Sequence, residues 1–356
     1  AILMVPAGRW QDKAGPKIVA LVGGVILTVG YLLSGLITPI SNNIWGIVVT
    51  YGMVGGAGIG FGYVCPIACA SKWFPDKKGL INGLAVAGFG AGGFIFNQLF
   101  QAFIGDPATK TSLSTNFLIS GLIMGAMVIV GALILRNPPE GYKPTGWEPK
   151  ILKTDDGKEI SSDWEPKEML KTPTYWLLWA MFICSAICGL MVIGNYKDYG
   201  KAIDTNFATT FAATIGGIAA LFNGLGRVFW GNMSDKVGRT NAMKIMFGIQ
   251  GVCMVLFALI PNIVVWVILI QIIYFCFGGN FSMFPSATGE YYGTKNLGIN
   301  YGLVFTAYGI AGIVGAIAAT PMLAALGGNY LGYFLLFGIL SFAALVISFL
   351  TKPPKR

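Results

Sequence analysis

Ten apolar stretches, each about 20 residues or longer, constrain this chain more than any other feature. Their approximate spans are 18–38, 44–70, 79–104, 115–135, 174–196, 206–230, 241–260, 263–289, 298–325 and 330–350. An apolar helix of about 20 residues crosses the roughly 30 Å hydrocarbon core of a bilayer. Inside that core no water is available to backbone amides, so spanning segments form helices. Only 11% of the 356 residues are charged, against about 25% in soluble domains. The expected class is an all-α integral membrane protein, with the lipid bilayer as its main partner.

The chain has no histidine. That removes a zinc site of the usual kind, a Ser-His-Asp triad and a histidine proton relay. No other pairing of nucleophile and base stands out, so the expectation is not an enzyme, with no cofactor and no metal. Net charge is +9, but the basic residues sit in short loops between apolar runs and read as topology signals, with no nucleic acid as partner. Cys65, Cys69, Cys184, Cys188, Cys253 and Cys276 all lie inside the runs and read as small packing residues.

If successive spans alternate direction, the loops fall into two sets. One holds twenty of the 24 basic residues, among them Arg9, Lys13, Lys17, Lys72, Lys77, Lys78, seven between Arg136 and Lys171, Lys236, Arg239, Lys295 and Arg356. The other holds only Lys110, Lys197 and Lys201, beside Asp106, Asp198 and Asp204. The asymmetry places the first set in the cytoplasm, and with it the central loop and the C-terminus of a multi-pass inner (plasma) membrane protein. Arg227 belongs to neither set, because it lies inside a span.

The longest polar stretch, 137–173, is rich in Pro, Lys and acidic residues and reads as a cytoplasmic linker. Four spans precede it and six follow. Residues 8–17, GRWQDKAGPK, and 231–240, GNMSDKVGRT, share the skeleton G-x-x-x-D-K-x-G. Two complete spans precede the second copy, and only the stub AILMVPA precedes the first. By this symmetry the first helix and most of the second of a twelve-helix chain, about 50 residues, are expected to be absent. The layout is then an N-terminal half at 1–136, the linker at 137–173, a C-terminal half at 174–351 and a tail at 352–356. A looser echo pairs Lys78-Gly79-Leu-Ile-Asn82-Gly83 with Leu297-Gly298-Ile-Asn300-Tyr301-Gly302.

In each motif the aspartate (Asp12, Asp235) stands just past a helix end, where it can meet the positive N-terminus of a neighbouring helix or an arginine, while the glycines (Gly8, Gly15, Gly231, Gly238) permit tight turns. With Lys13, Lys236 and Arg239 these residues form a candidate gating latch, unless they are solvated loop charges. Arg227 is the candidate ligand-binding residue. A guanidinium at the centre of a span costs at least about 2.5–3.5 kcal/mol and usually faces a cavity. Near a helix end it can instead snorkel to the interface. Asn223 stands four residues earlier on the same face, Gly224 and Gly226 leave space, and no carboxylate inside a span is placed to neutralise Arg227. Such a planar donor suits a carboxylate anion. Tyr274, Phe277 and Phe281 recur on one face of a later span, and Tyr63 and Tyr308 offer hydroxyls within apolar runs; such a stripe serves packing as readily as a pocket.

Two six-helix halves, a long central loop and the motif occurring twice resemble the major facilitator superfamily. Within it, SKWFPDKKG (71–79), NPPEGYKP (137–144), EMLKTPTYWLLW (168–179) and FNGLGRVFWGNMSDKVGR (222–239) resemble the oxalate/formate antiporter family and the neighbouring monocarboxylate carriers, including bacterial lactate transporter homologues. The resemblance implies a twelve-helix fold, Arg227 as the carboxylate ligand, and cavity positions at Tyr63, Phe277, Phe281 and Tyr308; Tyr274 rests on helical facing alone. It also implies a carrier that works as a monomer.

Two departures refine the expectation. The oxalate/formate pattern has a lysine where this chain has Tyr308, so one cation serves one carboxylate, and a small monocarboxylate such as lactate or pyruvate fits better than oxalate. Animal monocarboxylate carriers have an aspartate where this chain has Asn223, so no residue present is assigned to the proton. The expected activity is proton-linked monocarboxylate symport by alternating access of the two halves, with an anion exchanger as the alternative. A channel, a sugar carrier and an intramembrane enzyme fit less well.

Overall fold

The computed structural model describes residues 1–40, 43–104, 109–148, 152–153, 159–160, 163–204 and 209–355. Among them α1 (Met4–Ala14) and α2 (Pro16–Ile37) lead into a long segment formed by α3 (Ile44–Ile47), a π-helical stretch (Val48–Gly55) and α4 (Gly56–Trp73). Then follow α5 (Lys78–Ile104), α6 (Lys110–Ile134), an antiparallel pair of two-residue strands, β1 (Leu152–Lys153) and β2 (Glu159–Ile160), and α7 (Pro166–Met169). The remainder is α8 (Pro173–Ile203), α9 (Thr209–Val237), α10 (Arg239–Leu259), α11 (Ile263–Tyr291), α12 (Leu297–Ala325) and α13 (Tyr330–Leu350). Ten helical segments among the described residues are long and apolar enough to cross a membrane, matching the ten apolar runs.

The ends of these helices follow from local chemistry. Thr172 accepts from Tyr175 N–H ahead of Pro173, Asn262 accepts from Val264 and Val265, and Asn329 accepts from Leu331, each satisfying amides that a helix start leaves open. Thr109 and Ser112 form a reciprocal capping box on α6. At Gly15 and Gly238, with φ of 85° and 89°, the chain turns from α1 to α2 and from α9 to α10 through a conformation that disfavours a Cβ. The last glycine of each motif copy therefore does the same job.

The chain divides into two compact units. The first comprises Ala1–Pro75, Ile95–Asp163 and Thr294–Leu303. Within it α2 is the central element, packed on α4 and α6, with α1 against α4. Ser34 and Thr50 share a hydroxyl contact of 2.8 Å, and Ser114 donates to the Gly35 carbonyl at 2.6 Å. The second unit comprises Asp76–Phe94, Trp164–Gly293 and Val304–Arg356, and rests on the pairings α9–α11, α10–α13, α8–α13 and α8–α11. Its centre holds a buried polar group: Ser185 Oγ lies 2.8 Å from Gln250 Oε1 and 3.0 Å from Asn280 Oδ1.

Two details differ from the sequence expectation. Asp12 and Asp235 lie in the last turns of α1 and α9, not beyond them, because each helix continues to its terminating glycine. The segment 137–173 is not wholly irregular, since it carries the β1–β2 pairing and α7, and Trp164 N–H donates to the Tyr292 carbonyl at 2.9 Å. The six cysteines are free thiols, five buried and Cys184 half-buried. Of the charges used to orient the chain, Asp106, Lys150, Lys158 and Arg356 lie outside the described residues.

Candidate functional site

Arg227 is 4% exposed on α9 and turns inward along its own helix. Its Nε and Nη2 both donate to Asn223 Oδ1, at 3.1 and 3.0 Å, and Nη1 donates to the Val86 carbonyl of α5 at 3.0 Å. Asn223 is held in turn, since its Nδ2 donates to the Tyr274 carbonyl at 3.3 Å. The i, i+4 spacing read from the sequence thus becomes a fork on one amide oxygen. These partners are neutral dipoles. The face of Phe281 covers the guanidinium, with Cζ 4.5 Å from the ring centroid, and Phe89 stands at 5.8 Å. A cation under aromatic faces and amide oxygens is solvated by the protein while its charge is kept.

Around this group the structure gathers an aromatic cluster. Phe277 meets Phe281 edge-on at 5.2 Å, Tyr308 meets Phe281 at 5.2 Å, and Phe305 meets Tyr308 at 5.1 Å. Phe182 stacks on Phe284 at 4.2 Å and closes the same cluster against Tyr308 at 6.1 Å. Phe277, Phe281 and Tyr308 are therefore brought together with Arg227. Tyr274 enters through its backbone carbonyl. Tyr63, on α4, belongs to the first unit. Five contributors were not found by sequence reasoning: Phe89, Phe182, Phe284, Phe305 and the Val86 carbonyl. Phe284 and Phe305 carried a signal, standing three residues after Phe281 and three before Tyr308, each pair on one helical face; the others had none.

The two motif copies build two matching seats. Asp12 Oδ1 and Oδ2 accept from Gly298 N–H (3.0 Å) and Ile299 N–H (2.9 Å) at the start of α12. Asp235 Oδ1 and Oδ2 accept from Gly79 N–H (2.9 Å) and Leu80 N–H (2.8 Å) at the start of α5. Each carboxylate meets the positive end of a helix and satisfies two of its open amides. The first motif glycine brings the backbones together: a Cβ at Gly8 would fall on the Gly298 backbone, and one at Gly231 on the Gly79 backbone. The loose sequence echo at 78–83 and 297–302 thus marks the receiving helix ends of the two seats.

The seats differ in their bracing. Arg239 pairs with Asp235 (2.7 Å) and Glu290 (2.8 Å) and donates to Ser234, whereas Pro16 occupies the corresponding place after Gly15. Burial pushes the Asp12 carboxyl up to about 6, against the pull of the Ile299 and Gly298 amides and of Lys72. Lys13 and Lys236 are exposed.

Comparison with known proteins agrees with this architecture. The sequence model of the Major Facilitator Superfamily matches residues 1–316. The chain is 32% identical over 349 residues to the oxalate:formate antiporter of Oxalobacter formigenes, covering 97% of this chain and 78% of that protein. It is 24% identical over 351 residues to apicoplast pyruvate carrier 1 of Toxoplasma gondii, covering 84% and 63%. Among solved structures, the transporter FucP in its outward conformation superposes with a TM-score of 0.72 at 15% identity, over 99% of this chain and 87% of that one. With a family match across most of its length and a fold shared with a solved transporter, the chain belongs to the Major Facilitator Superfamily.

Proposed function

We propose that this membrane transporter carries small monocarboxylates, of the lactate and pyruvate type, together with a proton, by alternating access. The observation that carries the reading is Arg227: a buried guanidinium forked on Asn223 and capped by Phe281. In this reading a substrate carboxylate binds Arg227 beside Asn223, which the Tyr274 carbonyl holds, and Phe277, Phe281 and Tyr308 surround its aliphatic part. Tyr308 in place of a second cation supports one carboxylate per substrate, since a second would be desolvated beside aromatic rings. The seats of Asp12 and Asp235 act as latches that hold the halves 1–136 and 174–351 closed on the cytoplasmic side of the inner membrane, with 137–173 as linker. The functional unit is a monomer.

A second reading is favoured by the antiporter among the relatives: exchange of one carboxylate for another. Labelled L-lactate uptake into proteoliposomes, with and without an inward proton gradient, separates the two. Uptake that rises with the gradient and falls about tenfold or more in Arg227→Lys supports symport. Gradient-independent uptake that needs internal formate moves the protein to the exchanger class, and wild-type rates in Arg227→Lys remove the site assignment.

A further inference from the structure

The polar group at the centre of the second unit is absorbed by nothing described above. Ser185, Gln250 and Asn280 are each 0% exposed and come from α8, α10 and α11. Gln250 Nε2 donates to the Ser185 carbonyl at 3.2 Å, which fixes the orientation of its amide and directs Oε1 at the Ser185 hydroxyl. That hydroxyl has one proton, and Gln250 takes it. Asn280 approaches the same oxygen at 3.0 Å, and its Nδ2 has no hydrogen-bond partner among the described residues. Turning the amide over lets Nδ2 donate to Ser185 but strands Oδ1 instead. In either orientation one atom of Asn280 is left buried without a hydrogen bond among the described residues, an arrangement that lowers stability relative to an apolar side chain.

The placement of the group indicates what it does. Along the α8–α11 seam, Phe182 packs on Phe281 and Phe284, Ser185 meets Asn280, and a Cβ at Gly189 would fall on the ring of Phe277. The other contacts named along this seam are ring against ring or ring against glycine, which are not directional. Hydrogen bonds are directional, and here they hold the seam at one register, one residue from Phe281 and three from Phe182.

We infer that Asn280 is a positioning residue for the Arg227 site, the Ser185–Gln250–Asn280 clasp fixing α11 on α8 so that Phe281 stays face-on to the guanidinium. This rests on the reading of Arg227 as the substrate ligand, but its test does not need substrate. 4-Fluorophenylalanine at position 281 reports the ring's surroundings by fluorine NMR of the intact protein in detergent. Arg227→Gln gives the resonance expected when the cation is lost. Asn280→Leu and Ser185→Ala are expected to shift the signal from its wild-type position towards that of Arg227→Gln, with the thermal midpoint kept within a few degrees, while Ser185→Thr, which retains the hydroxyl, stays at the wild-type position. Should Asn280→Leu fail to fold, the Ser185 pair decides. A wild-type signal in Ser185→Ala, or an equal shift in Ser185→Thr, overturns the inference. Adding L-lactate to the wild type tests the substrate reading separately: the absence of any lactate-dependent shift removes that reading and leaves the positioning result standing.

Discussion

Gly231→Ala tests the latch at its tightest point. A Cβ there would fall on the Gly79 carbonyl, and neither partner is a side chain able to rotate away. Overpacking of this kind costs about 1–3 kcal/mol. Because the contact exists only while the seat is closed, the cost falls on the closed state, raising the open population about 5- to 150-fold. The amides of Gly79 and Leu80, bonded to Asp235, report that population directly through hydrogen exchange. Exchange at 79–80 should rise by this factor at pH 7. If the two seats open as one gate, exchange at Gly298 and Ile299, which sit on Asp12, should rise with it. Unchanged exchange at 79–80 refutes the packing argument. A rise confined to 79–80 refutes a common gate and leaves only local fraying.

Three further outcomes are expected. Arg227→Lys replaces a planar fork by a point donor, and losing one charge-assisted bond, about 1.5–3 kcal/mol, lowers kcat/KM for L-lactate about 10- to 150-fold; initial rates over a concentration series check it. The Asp12 carboxyl, raised by burial to about 6 from 3.8, holds its proton more tightly in the closed seat than in water. Closure at that seat therefore strengthens as pH falls from 7 towards 5 and is flat above 7. Exchange at Gly298 and Ile299, corrected for intrinsic rates, measures this, and Asp12→Asn should abolish the pH dependence. Tyr308→Lys supplies a second cation beside Phe281 and should let oxalate compete with labelled lactate, which an uptake inhibition series detects.

Much of the fold was legible because a bilayer imposes one solution on a long apolar run. The ten runs became ten helical spans, with boundaries set by caps such as Asn262 and by the turning glycines Gly15 and Gly238. Arg227 and Asn223 were legible for the opposite reason: a charge and an amide one turn apart stand out in an apolar helix. The rings were less so. Where lipid covers the outer face of a helix and protein the inner, both faces are apolar, so Phe182 and Phe89 carried no periodic mark distinguishing them from lipid-facing neighbours. The carbonyls of Val86 and Tyr274 bind through atoms every residue has. Which helix ends receive Asp12 and Asp235 was hidden too, although the repeated Gly-containing segments at 78–83 and 297–302 were visible.

The two glycine pairs, Gly8 with Gly298 and Gly231 with Gly79, carry a consequence for how this chain is able to change over generations. At most packed contacts a gain of volume on one side is absorbed by a loss on the other, so the two positions drift together. Here both sides already have no side chain, and nothing smaller is available. Drift at these four sites is therefore closed, while the ring cluster around Arg227, where large residues face large residues, stays open to reciprocal exchange. Under the proposed function, substrate preference can diverge in such a lineage while the two seats remain fixed.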